Sequence, residues 1–308
     1  MKAAVVDVGT NTVLLTVVEG NAAEGFAQIV SERRFVRLGE GLEESGVVSE
    51  AALQRLEGAL TDYRGIVDGI ERIRIVGTSA SRDAGNPNDI EAVVRRVTGW
   101  QFEILSGEEE GRYSHLGALA ALNPDEIADI PVAVVDIGGG STEVTVSAHG
   151  SEPPDFRTSM RIGSVRLTER YLTRQPVAAV ERGLVRSAVR AALDAADLPR
   201  KPGVRLVGAA GTAVTLAILH AGDRISEKGF VEPISLPLTE LNVWSERLAA
   251  MTRSEIESLN PDLMIGRSDV IPAGAVILEE VARLFEVGEL MVSPYALRHG
   301  IAWELLTS

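Results

Sequence analysis

One stretch of this chain occurs twice, and the copy constrains the fold more than any other feature. Ala4-Val5-Val6-Asp7-Val8-Gly9-Thr10-Asn11-Thr12 returns as Ala133-Val134-Val135-Asp136-Ile137-Gly138-Gly139-Gly140-Ser141, 129 residues later. A second pair, Ile75-Val76-Gly77-Thr78-Ser79-Ala80-Ser81 and Leu206-Val207-Gly208-Ala209-Ala210-Gly211-Thr212, keeps nearly the same spacing at 131 residues. Two matches in register predict a tandem duplication of an α/β domain. Each copy of the first pair reads as a strand ending in an acid, a Gly/Thr/Ser turn, and a second β-prone run. Such a turn suits phosphate. Glycine lets the backbone approach an anion, and successive N–H groups and hydroxyls can point at its oxygens. The acid at the strand end can orient a metal ion and its waters. Two such turns facing each other would grip a phosphoryl group from both sides.

At 308 residues the chain is long enough for two domains with separate cores. No apolar run is long enough to span a membrane. A strand is expected almost from the first residue, which leaves no room for a signal peptide. With no cysteine there is no disulfide, thiolate metal site or cysteine nucleophile. The cytoplasm is therefore the expected compartment. A net charge of −14 argues against nucleic acid as a partner. It also requires local basic groups to invert the field wherever a polyanion binds. All but three of the 30 basic residues are arginines, which suit bidentate phosphate contact. Genomic base composition explains the same bias.

Hydrophobic periodicity predicts strands over Ala3–Val8, Val13–Val18, Gln28–Val36, Arg72–Gly77 and Phe102–Leu105. Helices are expected from Ser49, from Pro87 with Asn86 as its cap, and from Ser106 to about Leu122. Asn123-Pro124-Asp125-Glu126 breaks the pattern and marks the junction. The plan then repeats, with strands at Val132–Asp136, Thr142–Val146, about Phe156–Ile162 and Val204–Val207. A helix is expected over Pro176–Ala195 and another from Gly211-Thr212. Gly229–Pro237 reads as loop. Later helices fall near Thr239–Ala250, Ala273–Phe285 and Pro294–Leu306, with strand Glu289–Val292 between the last two. The expected organisation is one α/β domain over residues 1–123 and a second over 124–293, with the C-terminal helix at about 294–308 returning to the first.

Asp136-Ile137-Gly138-Gly139-Gly140-Ser141-Thr142-Glu143 is the sharpest motif, a bare glycine loop flanked by acids. Alone it would read as a flexible hairpin; the echo at Asp7 favours function. Ser106 and Glu109 fit a capping box, and acids in a first turn suit the helix dipole, so Glu108 and Glu109 need no catalytic role. Glu110 lies past the box beside the junction, where it could take a proton from water, though spacing alone favours a structural role. Arg82 follows a strand and turn, where α/β sheets place ligand contacts; a surface arginine explains it equally well. Arg267, Arg298 and His299 read by default as surface or ion-pair residues. There is no G-x-x-x-x-G-K loop, no G-x-S-x-G elbow and no Asp-x-Asp after the first strand. The four histidines show no metal-ligand spacing.

Taken in order, these motifs resemble the exopolyphosphatase / guanosine pentaphosphate phosphohydrolase family. They are Asp7 to Thr12, Gly77 to Arg82, Ser106 to Arg112, Asp136 to Glu143, Gly208 to Thr212, Arg267 to Gly274 and Ala296 to Gly300. The resemblance covers essentially the whole chain. It implies two actin-like (ribonuclease H-like) domains with the site in the cleft between them, and hydrolysis of terminal phosphoanhydride bonds of inorganic polyphosphate with Mg²⁺. By position, Glu110 matches the glutamate that activates water. Asp7, Asp136 and Glu143 match the acidic, metal-associated positions. Phosphate contacts are implied at Gly9, Thr10, Asn11, Thr12, Arg82, Gly138, Gly139, Gly140, Ser141, Gly211, Thr212 and Arg267. Longer members carry a C-terminal helical domain with a His-Asp motif that this sequence lacks, so short chains are the expected substrate. Guanosine pentaphosphate is the alternative substrate. A non-catalytic polyphosphate or alarmone sensor and a sugar kinase are further alternatives. A homodimer is left open.

Overall fold

The structure, a computed structural model, describes residues 1–150, 152–222 and 232–308. The first sheet is built from β1 (Lys2–Val8), β2 (Thr12–Asn21), β3 (Gly25–Phe35), β4 (Arg72–Gly77) and β5 (Phe102–Ile104), in the order β3-β2-β1-β4-β5. β1 and β2 pair antiparallel; β1, β4 and β5 are parallel. Between β3 and β5 lie α1 (Leu42–Ser45), α2 (Glu50–Ile66), α3 (Ser79–Asp83) and α4 (Pro87–Thr98). Next come α5 (Gly107–Leu119) and α6 (Pro124–Ile127).

The second half holds β6 (Val132–Ile137), β7 (Thr142–Ser147), β8 (Phe156–Met160), β9 (Arg205–Ala209), β10 (Ile234–Pro237) and β11 (Glu289–Val292). Their order, read from the β8 edge, is β8-β7-β6-β9-β11-β10. The first five positions repeat the first sheet, strand for strand and direction for direction. This is the duplicated actin-like architecture that the repeated sequence leads one to expect. Helices α7 (Ser164–Tyr171), α8 (Ala179–Ala196), α9 (Ala210–Ala221), α10 (Leu238–Ala250), α11 (Arg253–Leu259), α12 (Pro261–Met264) and α13 (Ile271–Leu284) belong to this half, and α14 (Leu297–Thr307) follows β11.

Several local readings change. Ile234–Pro237, read as loop, is an edge strand antiparallel to β11. It is short, and its proline sits where an edge strand tolerates one. Residues 229–231 of that reading lie outside the described residues. Asn86 stands at the N-cap of α4 as expected, but its side chain bonds no N–H of the helix; its amide instead exchanges two hydrogen bonds with the backbone of Val48, at 2.8 and 3.1 Å. Ser106 does cap α5, and Glu109 closes the reciprocal bond at 2.8 Å. α3 and α7 were absent from the periodicity reading because each is too short to repeat an apolar face.

β1 is buried on both faces. Ala4, Val6 and Val8 pack with Leu56, Leu60 and Tyr63 of α2, while Ala3 and Val5 face Tyr113 of α5 and Ile301 of α14. β6 divides the same way, with Val135 in the large core of the second half and Val134 beside Ala118 of α5. Helix α5 therefore lies between the two sheets and packs on both. α14 crosses it closely: a methyl at Gly300 would lie 2.1 Å from the Tyr113 carbonyl oxygen, and one at Gly117 would lie 2.0 Å from that of Ala296. Glu304 fixes the crossing by accepting hydrogen bonds from the Tyr113 hydroxyl at 2.6 Å and from Arg74 at 3.1 Å.

Gly300→Ala should therefore destabilise the fold by about 1–3 kcal/mol through overpacking. Urea unfolding reads this directly; an unchanged midpoint would mean that the two helices separate at no cost.

Candidate active site

The two repeated turns close with the same hydrogen bond. Gly9 N–H donates to Thr12 O at 2.9 Å, and Gly138 N–H donates to Ser141 O at 3.0 Å. Ser164, Val165 and Arg166 at the start of α7 direct their N–H groups to the carbonyls of Gly138 and Gly139. Among the described residues, the N–H groups of Gly139 and Gly140 have no backbone acceptor. That is the arrangement of an anion cradle, with carbonyls turned to the protein and donors left over. The two turns also touch. A β-carbon on Gly139 would stand 2.9 Å from Thr10 Cβ, and one on Gly140 would stand 2.5 Å from Ser79 Oγ.

A cavity of about 700 Å³ lies between them. Every residue for which the resemblance implies a site role lines it, except Arg82. Arg82 is instead spent on Glu110: its Nη1 pairs with Glu110 Oε1 and also donates to Leu105 O at 2.7 Å. Glu110 comes from the first turn of α5, and among the described residues no hydrogen bond reaches its Oε2. Ala210, also on the cavity wall, holds a left-handed backbone at φ 62°, a local strain at the β9–α9 turn.

Four carboxylates converge here, three of them almost fully buried: Glu110, Asp136 and Glu143. Asp136 and Glu143 stand directly opposite each other across the β6–β7 ladder, a like-charge pair that a sheet normally avoids. Burial, and then Asp136, push Glu143 up to about 7. Burial pushes Asp7 up to about 7, with Arg298 pulling it down and Asp136 adding to the rise. Burial also raises Asp136, against a hydrogen bond from Ser114. For Glu110, burial and then Glu143 outweigh the opposing pull of Arg82, so its carboxyl sits well above the usual range.

The supports of these acids are what sequence reasoning missed. Ser114, one turn beyond Glu110 on α5, donates to Asp136 Oδ2. Ser159, the cross-strand partner of Glu143, donates to Glu143 Oε1 at 2.6 Å. Ser79 and Arg298 line the cavity. Ser114 carried a signal in its four-residue spacing from Glu110, Ser79 and Arg298 lie within motifs quoted from the sequence, and Ser159 carried none.

Among the described residues no three acidic or histidine side chains are gathered closely enough to ligate a metal by themselves. Asp7 Oδ1 is shut off from water and has no hydrogen-bond partner. An orphaned carboxylate oxygen beside further buried acids suits a hard cation. Mg²⁺ in particular keeps several waters and takes one or two carboxylates plus substrate oxygens. The residues fit Mg²⁺ on those terms, and not as a closed protein cage.

Asp7 moves from 3.8 to about 7 on folding. Between those values the folded chain keeps a proton that the unfolded chain has lost, so stability is full below about 4 and falls as pH rises towards 7. Glu143 acts in the same direction. At about 1.4 kcal/mol per pKa unit, each group costs on the order of 3–5 kcal/mol at pH 8. In chelator and without phosphate, the protein should melt higher at pH 5 than at pH 8. Asp7→Asn should raise the pH 8 melting temperature and narrow that gap. Overlaying melts of variant and parent at both pH values would refute the burial argument.

Known proteins are similar to this chain along its length. The model of the Ppx/GppA phosphatase family matches residues 16–308. A Mycobacterium tuberculosis protein named exopolyphosphatase 2 is 34% identical over 99% of this chain and 98% of its own length. A guanosine-5′-triphosphate,3′-diphosphate pyrophosphatase of Photobacterium profundum is 28% identical over 99% of this chain and 59% of its own length. The crystal structure of an exopolyphosphatase from Cytophaga hutchinsonii superposes with a TM-score of 0.88 at 27% identity, covering 99% of this chain and 98% of that one. The chain belongs to the Ppx/GppA phosphatase family.

Proposed function

We propose that this phosphatase is an exopolyphosphatase, releasing terminal orthophosphate from inorganic polyphosphate. The observation that carries the reading is the pair of matching anion turns, closed by the same hydrogen bond, with a buried glutamate beside them. The terminal phosphoryl group lies between the turns, held by the N–H groups of Gly139 and Gly140 and by the Thr10 and Ser141 hydroxyls. Gly211, Thr212 and Arg267 line the wall along which the chain leaves. Glu110 Oε2 takes a proton from the attacking water while Arg82 fixes Oε1. Burial has raised the proton affinity of this carboxyl, which suits a proton acceptor. The new P–O bond forms as the bridging P–O bond breaks, and the shortened polyphosphate departs with the electron pair. Asp7, Asp136 and Glu143 would hold Mg²⁺ through its water shell, and the chemistry it supplies when bound is neutralisation of phosphate charge.

One observation favours a second substrate. The cavity lining also includes Leu14, Ile29, Pro294 and Leu297, apolar side chains for which a polyphosphate has no use. A nucleoside would use them, which makes guanosine pentaphosphate the alternative.

Phosphate release from short polyphosphate, long polyphosphate and guanosine pentaphosphate, measured side by side with Mg²⁺, tests the reading. Short polyphosphate should give the highest kcat/KM, because a chain of net charge −14 offers repulsion to phosphates outside the cleft. Preference for the nucleotide would replace the first substrate with the second. Glu110→Gln should cost about 10²–10⁴-fold in kcat, the range typical of a lost general base. Rates near the parent's would remove Glu110 from the mechanism.

A further inference from the structure

We infer that Arg166 is a positioning residue that registers the triple-glycine turn against α3 and, through α3, fixes Arg82 on Glu110. The inference deepens the phosphatase reading and rests on it for its rate measurement. Arg166 is nearly buried, its side chain 10% exposed, and all three guanidinium nitrogens are used. Nε donates to the Gly140 carbonyl at 2.8 Å, inside its own half of the molecule. The other two cross the cleft: Nη2 bonds Asp83 Oδ2 at 2.5 Å, and Nη1 pairs with Glu43 of α1. One rigid fork thus ties the phosphate turn of the second half to two separate elements of the first.

Asp83 is the residue after Arg82. Both sit on α3, a helix of five residues whose first member, Ser79, abuts Gly140. So short a helix has little rigidity of its own. Its place is set by what grips its ends, and Arg166 grips the end that carries Arg82. Arg82 in turn holds one oxygen of Glu110. The chain of contacts runs Gly140, Arg166, Asp83, Arg82, Glu110. It lets the seat of the phosphoryl group and the proton acceptor move only together. Arginine suits the bridge because its three nitrogens spread their donors over a planar fork wide enough to span acceptors on three elements, whereas the three donors of a lysine share one nitrogen. Other contacts also cross the cleft: Arg37 pairs with Asp269 at 2.9 Å away from α3, and the largely exposed Arg161 reaches Asp83 Oδ1 at 3.3 Å, but neither pair touches the glycine turn.

Three measurements on the full chain test this: kcat and KM on short polyphosphate, the small-angle X-ray scattering radius, and amide exchange at Arg82 and Ala84, whose N–H groups bond Thr78 and Ala80. Arg166→Gln should lower kcat on the order of 10²-fold, the scale of an ångström-level misplacement, with a smaller change in KM. It should also enlarge the scattering radius and speed exchange at Arg82 and Ala84. Arg166→Lys should fall between variant and parent. Arg170→Gln should match the parent, since Arg170 reaches Glu43 at 3.7 Å but not the glycine turn. Should Arg166→Gln not fold, the double variant Glu43→Gln, Asp83→Asn breaks the same bridge from its wetter side, and the same changes are expected. A parent-like radius and exchange pattern overturn the proposal whatever the rate does. A changed radius with parent-like kcat overturns the link to Glu110. An effect of equal size from Arg170→Gln reduces the bridge to bulk charge. If the parent itself releases no phosphate, the substrate reading fails, while radius and exchange still decide the bridge.

Discussion

Asp7, Glu110, Asp136 and Glu143 repel one another inside a single cleft, and the fold is arranged to contain that repulsion. Buried carboxylates without cations are among the costliest features a protein can keep. Each of them here is either gripped by a donor or left poised. Ser114 holds Asp136, Ser159 holds Glu143, and Arg82 holds Glu110, while one oxygen of Asp7 has nothing. The donors come from helix α5, strand β8 and helix α3, so containing the charge demands that both halves of the molecule be assembled. The folded chain thus stores a deficit that a bound cation would relieve. Stability is given up where binding needs it.

Much of the architecture was legible because the repeat is strong. The unbroken apolar runs before Asp7 and Asp136 could be read as short buried strands, and the shared register predicted a tandem duplication of an α/β domain. The positions that line the cavity were legible for the same reason: acid, glycine and hydroxyl stand at matching places in both copies. What could not be read depends on contacts between residues distant in sequence. That Arg82 meets Glu110 follows only once β4 and β5 pair and return α5 alongside α3. That Ser159 supports Glu143 follows from the β7–β8 register. Arg166 sits on an eight-residue helix whose apolar content, chiefly Val165 and Leu167, is too small to show a period.

The repeat is also broken in an informative way. Opposite Asp7 in the first ladder stands Leu14, whereas opposite Asp136 in the second stands Glu143. Thr10 and Asn11 in the first turn correspond to Gly139 and Gly140 in the second. One copy therefore keeps side-chain hydroxyl and amide donors on a less acidic strand pair. The other keeps bare backbone and a doubled acid. A symmetric cleft would hold a phosphoryl group without distinguishing its two sides. This asymmetry gives the cleft one side with side-chain donors and another where bare backbone and paired carboxylates stand together. An in-line displacement needs such a distinction, since attacking and leaving oxygens occupy opposite faces of the phosphorus.

Helix α5 is where duplication alone would not have sufficed. It lies between the two sheets, with Tyr113 under β1 and Ala118 beside β6, and is clamped from behind by α14 through Gly117 and Gly300. Glu110 and Ser114 stand one turn apart on it, the first reaching towards Arg82 of one half, the second towards Asp136 of the other. A residue carried by either sheet would follow that sheet in any relative movement. A residue on α5 is referenced to both at once. Glu110, the proposed proton acceptor, thus stands on an element that shares a core with each half, and the arginine bridges across the cleft need only keep the two repeated turns in register with it.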